Sequence, residues 1–85
     1  MKWHARIYVS LKPTVNDPQG LAIQGGLHQL GFNAVTRVRM GKFLEVDLDA
    51  PDAAAAREAA ESMCRGLLAN PVVEQFQVDV EVAAG

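Results

Sequence analysis

At 85 residues, 49% of them hydrophobic and 21% charged, the chain has material for one domain and too little for two. Its composition excludes intrinsic disorder and low-complexity repeats. A formal net charge of -2 argues against a nucleic-acid binder, which is usually basic overall. No stretch approaches the roughly 20 consecutive apolar residues of a bilayer span, and the N-terminus lacks the apolar core of a signal peptide. We therefore expect a soluble, cytoplasmic chain with no membrane and no nucleic-acid partner. Folding a 9.2 kDa chain hides only roughly 63% of its extended surface, so self-association would add burial that a monomer lacks.

The first element is a strand in which Trp3, Ala5, Ile7, Val9 and Leu11 share one side and His4, Arg6, Tyr8 and Ser10 the other. Lys12-Pro13 ends it, because proline has no N–H for a ladder. A helix begins at Asp17-Pro18, an N-cap followed by a proline at the first helical position. Ile23, Leu27 and Leu30 predict its buried stripe, and Gly31 predicts its left-handed stop. Gly20, Gly25 and Gly26 weaken it by about 1 kcal/mol each if they lie in its interior, so packing must hold it.

Val35, Val38 and Met40 predict a second strand, and Leu44, Val46 and Leu48 a third, with Gly41-Lys42 as a hairpin turn between them. A second helix starts at Asp49 or Asp52 and runs to Leu68, with Ala56, Ala60, Met63 and Leu67 along one face. Asn70-Pro71 stops it. Phe76, Val78, Val80 and Val82 alternate with Gln75, Gln77, Asp79 and Glu81 in a last strand, and residues 83–85 form a short flexible tail. The order β-α-β-β-α-β predicts an α+β fold: a single domain over residues 1–85 with an antiparallel sheet and two helices on one face, as in ferredoxin-like folds.

Chemistry-bearing groups are sparse. The single cysteine, Cys64, has no partner for a disulfide or a zinc pair and reads as a small buried hydrophobe. His4 and His28 lack metal-ligand spacing, and His28 reads as a hydrogen-bonding or partner-facing residue of the first helix. Asp47 and Asp49 lie at a strand end and read as solvated charge. No phosphate loop is present, and Asp17 gives its helix start to capping rather than to anion binding. We accordingly assign no catalytic, cofactor-binding or metal-binding residue.

Charge is polarised. Residues 1–44 carry six cations against Asp17, a net of +5, whereas residues 45–85 carry two against nine acids, a net of -7. Arg37, Arg39 and Lys42 gather at the predicted hairpin, where they suit an acidic partner surface better than a nucleic acid. An outer sheet face containing Arg6, Tyr8, Arg37, Arg39, Glu45, Asp47, Gln75 and Gln77 could pair with its own copy across a two-fold axis.

Four segments add a resemblance. LKPTVNDPQG (Leu11 to Gly20), LHQLGF (Leu27 to Phe32), VRMGKFLEV (Val38 to Val46) and MCRGLLANPVVEQFQV (Met63 to Val78) resemble the PurS family, subunits of phosphoribosylformylglycinamidine synthase. The resemblance covers about nine-tenths of the chain. It implies a PurS-like fold and an essential, non-catalytic small subunit of a glutamine-dependent ligase in de novo purine biosynthesis. Such an assembly converts formylglycinamide ribonucleotide, ATP and glutamine to formylglycinamidine ribonucleotide, ADP, phosphate and glutamate. The partners implied are the glutaminase PurQ, the synthetase PurL, which binds ATP and Mg2+, and further copies of the chain as a dimer or tetramer. The small subunit bridges PurQ and PurL and assists ammonia transfer. Partner contacts are then expected at Lys12, Gln19, His28, Arg37, Arg39, Lys42 and Asn70. The alternative from another class is a regulatory module of the ACT kind that binds an amino acid at a dimer interface.

Overall fold

The computed structural model describes residues 1–83, so of the predicted tail only Ala83 is described and residues 84–85 lie outside the described residues. Its elements are β1 (Lys2–Leu11), α1 (Pro18–Gln29), β2 (Gly41–Asp49), α2 (Ala53–Met63), which continues as a π-helical turn over Cys64–Leu68, and β3 (Glu74–Val82). The strands form one antiparallel sheet in the order β2-β1-β3. Strand β1 sits at its centre because its inner residues are apolar at every second position. Ala5, Ile7 and Val9 are buried, and across the ladders Ile7 faces Leu44 on one side and Val78 on the other.

Helix α2 covers this inner face. Asp52 caps it, its side chain accepting from the Ala55 N–H at 2.8 Å. Ala56 and Ala60, both fully buried, let the helix axis approach β1 and β3, where larger side chains would hold it off. Arg57 donates to the Val78 carbonyl at 2.6 Å, tying the helix to the strand below. The wider π turn shows in the Ala69 N–H, which reaches back to the Cys64 carbonyl at 2.9 Å. It also shifts the helical phase. Cys64, four residues beyond Ala60, is fully buried before the shift takes hold, while Leu67, predicted for the inner stripe and lying within the turn, is 84% exposed. Burial pushes the Cys64 thiol up from its ordinary pKa.

The α+β class and the antiparallel sheet agree with the sequence reading, but three further local expectations change. Residues 35–40 join no ladder, and Gly41 opens β2 opposite Ser10 instead of turning a hairpin. A Cβ at Gly41 would lie 2.5 Å from the Val9 carbonyl oxygen, so glycine is needed there for close approach of the two strands. The third change concerns α1, which stands away from the sheet. Inter-element packing runs among β1, β2, β3 and α2. Ile23 and Leu30 are 41% and 74% exposed, so their predicted stripe is not buried within this chain. The helix ends as predicted, in a Schellman motif: Gly31 has φ 97, and the Phe32 N–H reaches the Leu27 carbonyl at 3.0 Å.

The outer face of the sheet places basic residues on the central strand between acids on both neighbours. Lys2 pairs with Asp49 at 3.0 Å, His4 with Asp47 at 2.6 Å, and Arg6 with Glu81. Tyr8 and Phe43 stack beyond them with ring centroids 5.1 Å apart. Arg37 and Arg39, expected on this face, belong instead to the connection that precedes β2. No helix among the described residues is long and apolar enough to cross a membrane.

Urea denaturation tests the close approach at the start of β2. Gly41→Ala is expected to lose about 1 to 3 kcal/mol through overpacking. Gly66→Ala, where a Cβ meets open space, is expected to hold stability or gain up to about 1 kcal/mol.

Candidate partner-docking site

Three loops converge where β1 ends. Past Leu11, the Lys12 N–H donates to the Val73 carbonyl at 2.9 Å, and the Lys12 carbonyl accepts from the Val15 N–H at 2.9 Å. Arg39 closes this turn with both arms of its fork, donating to the Val15 and Lys12 carbonyls, each at 2.9 Å. The ammonium of Lys12 donates to the Pro71 carbonyl at 2.9 Å. Asn70 organises the opposite wall: its side-chain oxygen accepts from the Val72 N–H at 3.0 Å, and its own N–H donates to Glu74 at 2.7 Å. Three loops are thus fixed to one another through backbone carbonyls.

Asp17 is the second tie. It is the one buried charged residue among those described, 4% exposed, and it accepts from the Gly20 N–H at 2.9 Å and the Met40 N–H at 2.7 Å. The Met40 bond first, then the Gly20 bond, hold its carboxyl below the ordinary aspartate pKa, and the nearby Arg39 charge acts in the same direction. A Cβ at Gly20 would meet the Val38 carbonyl oxygen at 2.3 Å, so glycine lets α1 start directly against the 38–40 segment.

This frame supports two clefts on either side of Leu11. One, of about 350 Å³, is walled by Asp17, Gln19, Met40, Lys42 and Glu74. The other, of about 360 Å³, is walled by Ser10, Pro13, Arg37, Arg39 and Gln75. The seven expected contact residues therefore divide. Lys12, Arg39 and Asn70 build the frame. The side chains of Gln19, Arg37 and Lys42 make no hydrogen bond or ion pair among the described residues and line the clefts. His28 lies apart on α1, where its Nε2 is 2.7 Å from the Val35 carbonyl oxygen. Asp17 was legible as a helix cap, but its bond to Met40 has no local signal. Among the described residues no three His, Cys, Asp or Glu side chains gather as a metal site would require. The arrangement is a basic, partly apolar corner whose loops are tied to one another.

A family described as PurS, Phosphoribosylformylglycinamidine (FGAM) synthase, matches residues 4–82. The chain belongs to the PurS family. Phosphoribosylformylglycinamidine synthase subunit PurS of Synechocystis sp. is 47% identical over 83 residues, spanning 98% of this chain and 83% of that protein. The crystal structure of PurS from Methanocaldococcus jannaschii, one of the subunits of formylglycinamide ribonucleotide amidotransferase in the purine biosynthetic pathway, is 34% identical. It superposes with a TM-score of 0.86 over 96% of this chain and 99% of that one. A chain in the structure of PurLQS from Thermotoga maritima is 30% identical with a TM-score of 0.87, over 95% of this chain and 99% of that one. As a PurS family member, the chain is a subunit of FGAM synthase.

Asp17 carries a pH dependence whose sign follows from its lowered pKa. Its contribution is present above the ordinary aspartate value and is lost as pH falls through the lower folded value. Melting curves between pH 7 and pH 2 are expected to show Asp17→Asn less stable than the parent near neutrality. The gap should narrow as pH falls below the ordinary aspartate value of about 3.9, where the unfolded chain's carboxyl takes up a proton before the folded one does.

Proposed function

We propose that this chain is the docking subunit of an FGAM synthase assembly, bridging a PurQ-type glutaminase and a PurL-type synthetase and assisting ammonia transfer between them. It brings no reacting group. ATP and Mg2+ belong to the PurL partner, and this subunit holds no cofactor of its own. The observation that carries the reading is the division of the corner at the end of β1. Lys12, Arg39, Asn70 and Asp17 are consumed in fixing three loops, while Arg37, Lys42 and Gln19 are left on the cleft walls. A preorganised surface with uncommitted cations loses little side-chain freedom when an acidic partner surface arrives, and its charge speeds encounter.

A subunit of this kind contributes to rate through exclusion. Ammonia released at one active site must reach another without escaping to water or being protonated. A partner that seals the boundary between two larger chains meets that need with no acid, base or nucleophile of its own. The polarity of the chain suits a bridge, since the basic corner and the acidic rows of the outer sheet face lie toward opposite ends of β1 and so present different chemistry to two neighbours.

Binding to PurL and PurQ, followed by sedimentation, tests the docking corner. Arg37→Glu and Lys42→Glu are each expected to weaken assembly roughly ten-fold and to flatten its salt dependence, with the melting temperature unchanged. Glutamine-driven turnover should fall with assembly, while turnover supplied with free ammonia holds. Unchanged assembly in both variants would contradict the assignment.

A further inference from the structure

Strand β3 pairs only with β1, so its far edge is open. Two bonds at the ends of the β1–β3 ladder fix which backbone groups face that edge. The Lys12 N–H donates to the Val73 carbonyl at 2.9 Å, and the Ala83 N–H donates to the Lys2 carbonyl at 3.0 Å. Hydrogen-bonded pairs alternate along an antiparallel ladder, so Gln75, Gln77, Asp79 and Glu81 spend their backbone groups on β1. The N–H and C=O groups of Phe76, Val78, Val80 and Val82 therefore point away from the sheet. Among the described residues one of these groups has a partner: the Val78 carbonyl, which accepts from Arg57 Nη1 at 2.6 Å.

The edge is otherwise well suited to strand addition. Residues 74–82 contain no glycine or proline, and three valines alternate along them. Two copies of β3 laid antiparallel about Val78 would each donate the Val78 N–H to the other's Val78 carbonyl across a two-fold axis. In that register Phe76 faces Val80, Gln77 faces Asp79 and Gln75 faces Glu81, so no acid opposes an acid. Registers centred on Asp79 or Val80 are disfavoured, because they set Asp79 against Asp79 or Glu81. Charge alone thus leaves the Val78-centred pairing open.

We infer that this edge is a strand-pairing surface for a second copy of β3, and that Arg57 holds it shut. Its guanidinium occupies the carbonyl at the centre of the permitted register, so both central bonds are blocked when each copy carries it. Helix α2 brings the group there. Ala56 and Ala60, fully buried, let the helix lie close on the strand, and Arg57 follows Ala56 directly. Arginine stays charged at every pH at which the protein folds, so the guard does not lift with protonation. The tie between α2 and β3 is then also the device that keeps the molecule from associating through this edge.

The isolated full-length chain suffices for the test, which is independent of the role in the synthase. Arg57→Met keeps the apolar stem and removes the donor. At micromolar concentration it is expected to sediment at about twice the parent's mass or more, with a cooperative melt retained. Hydrogen exchange should then show the Phe76, Val78 and Val80 amides protected on the order of 100-fold more than in the parent, where they exchange as open-edge groups. Adding Val80→Pro removes an outward N–H that no bond to β1 uses, and the double variant should return to the parent's mass. Exchange in the parent is decisive if Arg57→Met does not fold: rapid exchange at Phe76, Val78 and Val80 supports an edge kept free, and protection there overturns it. An Arg57→Met chain of parental mass, or a larger species that Val80→Pro leaves intact, would also overturn the inference.

Discussion

Everything in this molecule is referred to β1, the strand with ladders on both sides. Its alternation of Trp3, Ala5, Ile7 and Val9 with His4, Arg6 and Tyr8 decides which face of all three strands is apolar, because register in the two ladders carries the choice to Leu44, Val46, Val78 and Val80. A slip of one residue in either ladder would turn a neighbouring strand's apolar set to solvent. Helix α2 has then only one face to cover, and its small residues Ala56 and Ala60 set how closely it does so. The end of β1 also fixes the start of every loop in the docking corner, since Lys12 is the point from which the Val73, Val15, Arg39 and Pro71 contacts radiate.

The corner proposed for docking is built from backbone carbonyls more than from side-chain pairs. Arg39 spends its fork on two carbonyls, and Lys12 spends its ammonium on a third. Such bonds are insensitive to the identity of the carbonyl's residue, so the loop letters can vary while the frame persists. The ion pairs on the outer face differ in kind. Lys2–Asp49, with both side chains mostly exposed, contributes little to stability. The value of that face lies in its pattern, basic residues flanked by acids, which gives one end of the molecule an acidic character opposite the basic corner.

Much of this was legible from local signals. The alternation in β1 and β3, the Asp17-Pro18 helix start and the Gly31 stop each rest on residues within a few positions of one another, and each stands as read, while of the two starts offered for the second helix, Asp49 or Asp52, the cap is Asp52. The misreadings share a different origin. Gly41-Lys42 has the letters of a tight turn, but the same glycine serves close approach to the Val9 carbonyl, and only the fold distinguishes the two uses. Leu67 left the core because the π turn at Cys64–Leu68 shifts the phase of the helix, and that turn has no letter of its own. The Ile23 and Leu30 stripe was sought within one chain, where α1 finds no sheet to cover. In the docking corner the basic residues were visible as a cluster, but their division into frame and free side chains depends on bonds spanning 24 to 59 positions, which no spacing rule reaches.

The central claim is that this chain supplies shape and adhesion while bonds are made and broken on neighbouring subunits. Titrating it into a mixture of PurL and PurQ and following glutamine-dependent formation of formylglycinamidine ribonucleotide tests that claim most directly. The account predicts a rate that climbs from near zero and saturates as the complex fills, with the chain alone inert. Full turnover before any of it is added, or turnover by the chain without its partners, would contradict it.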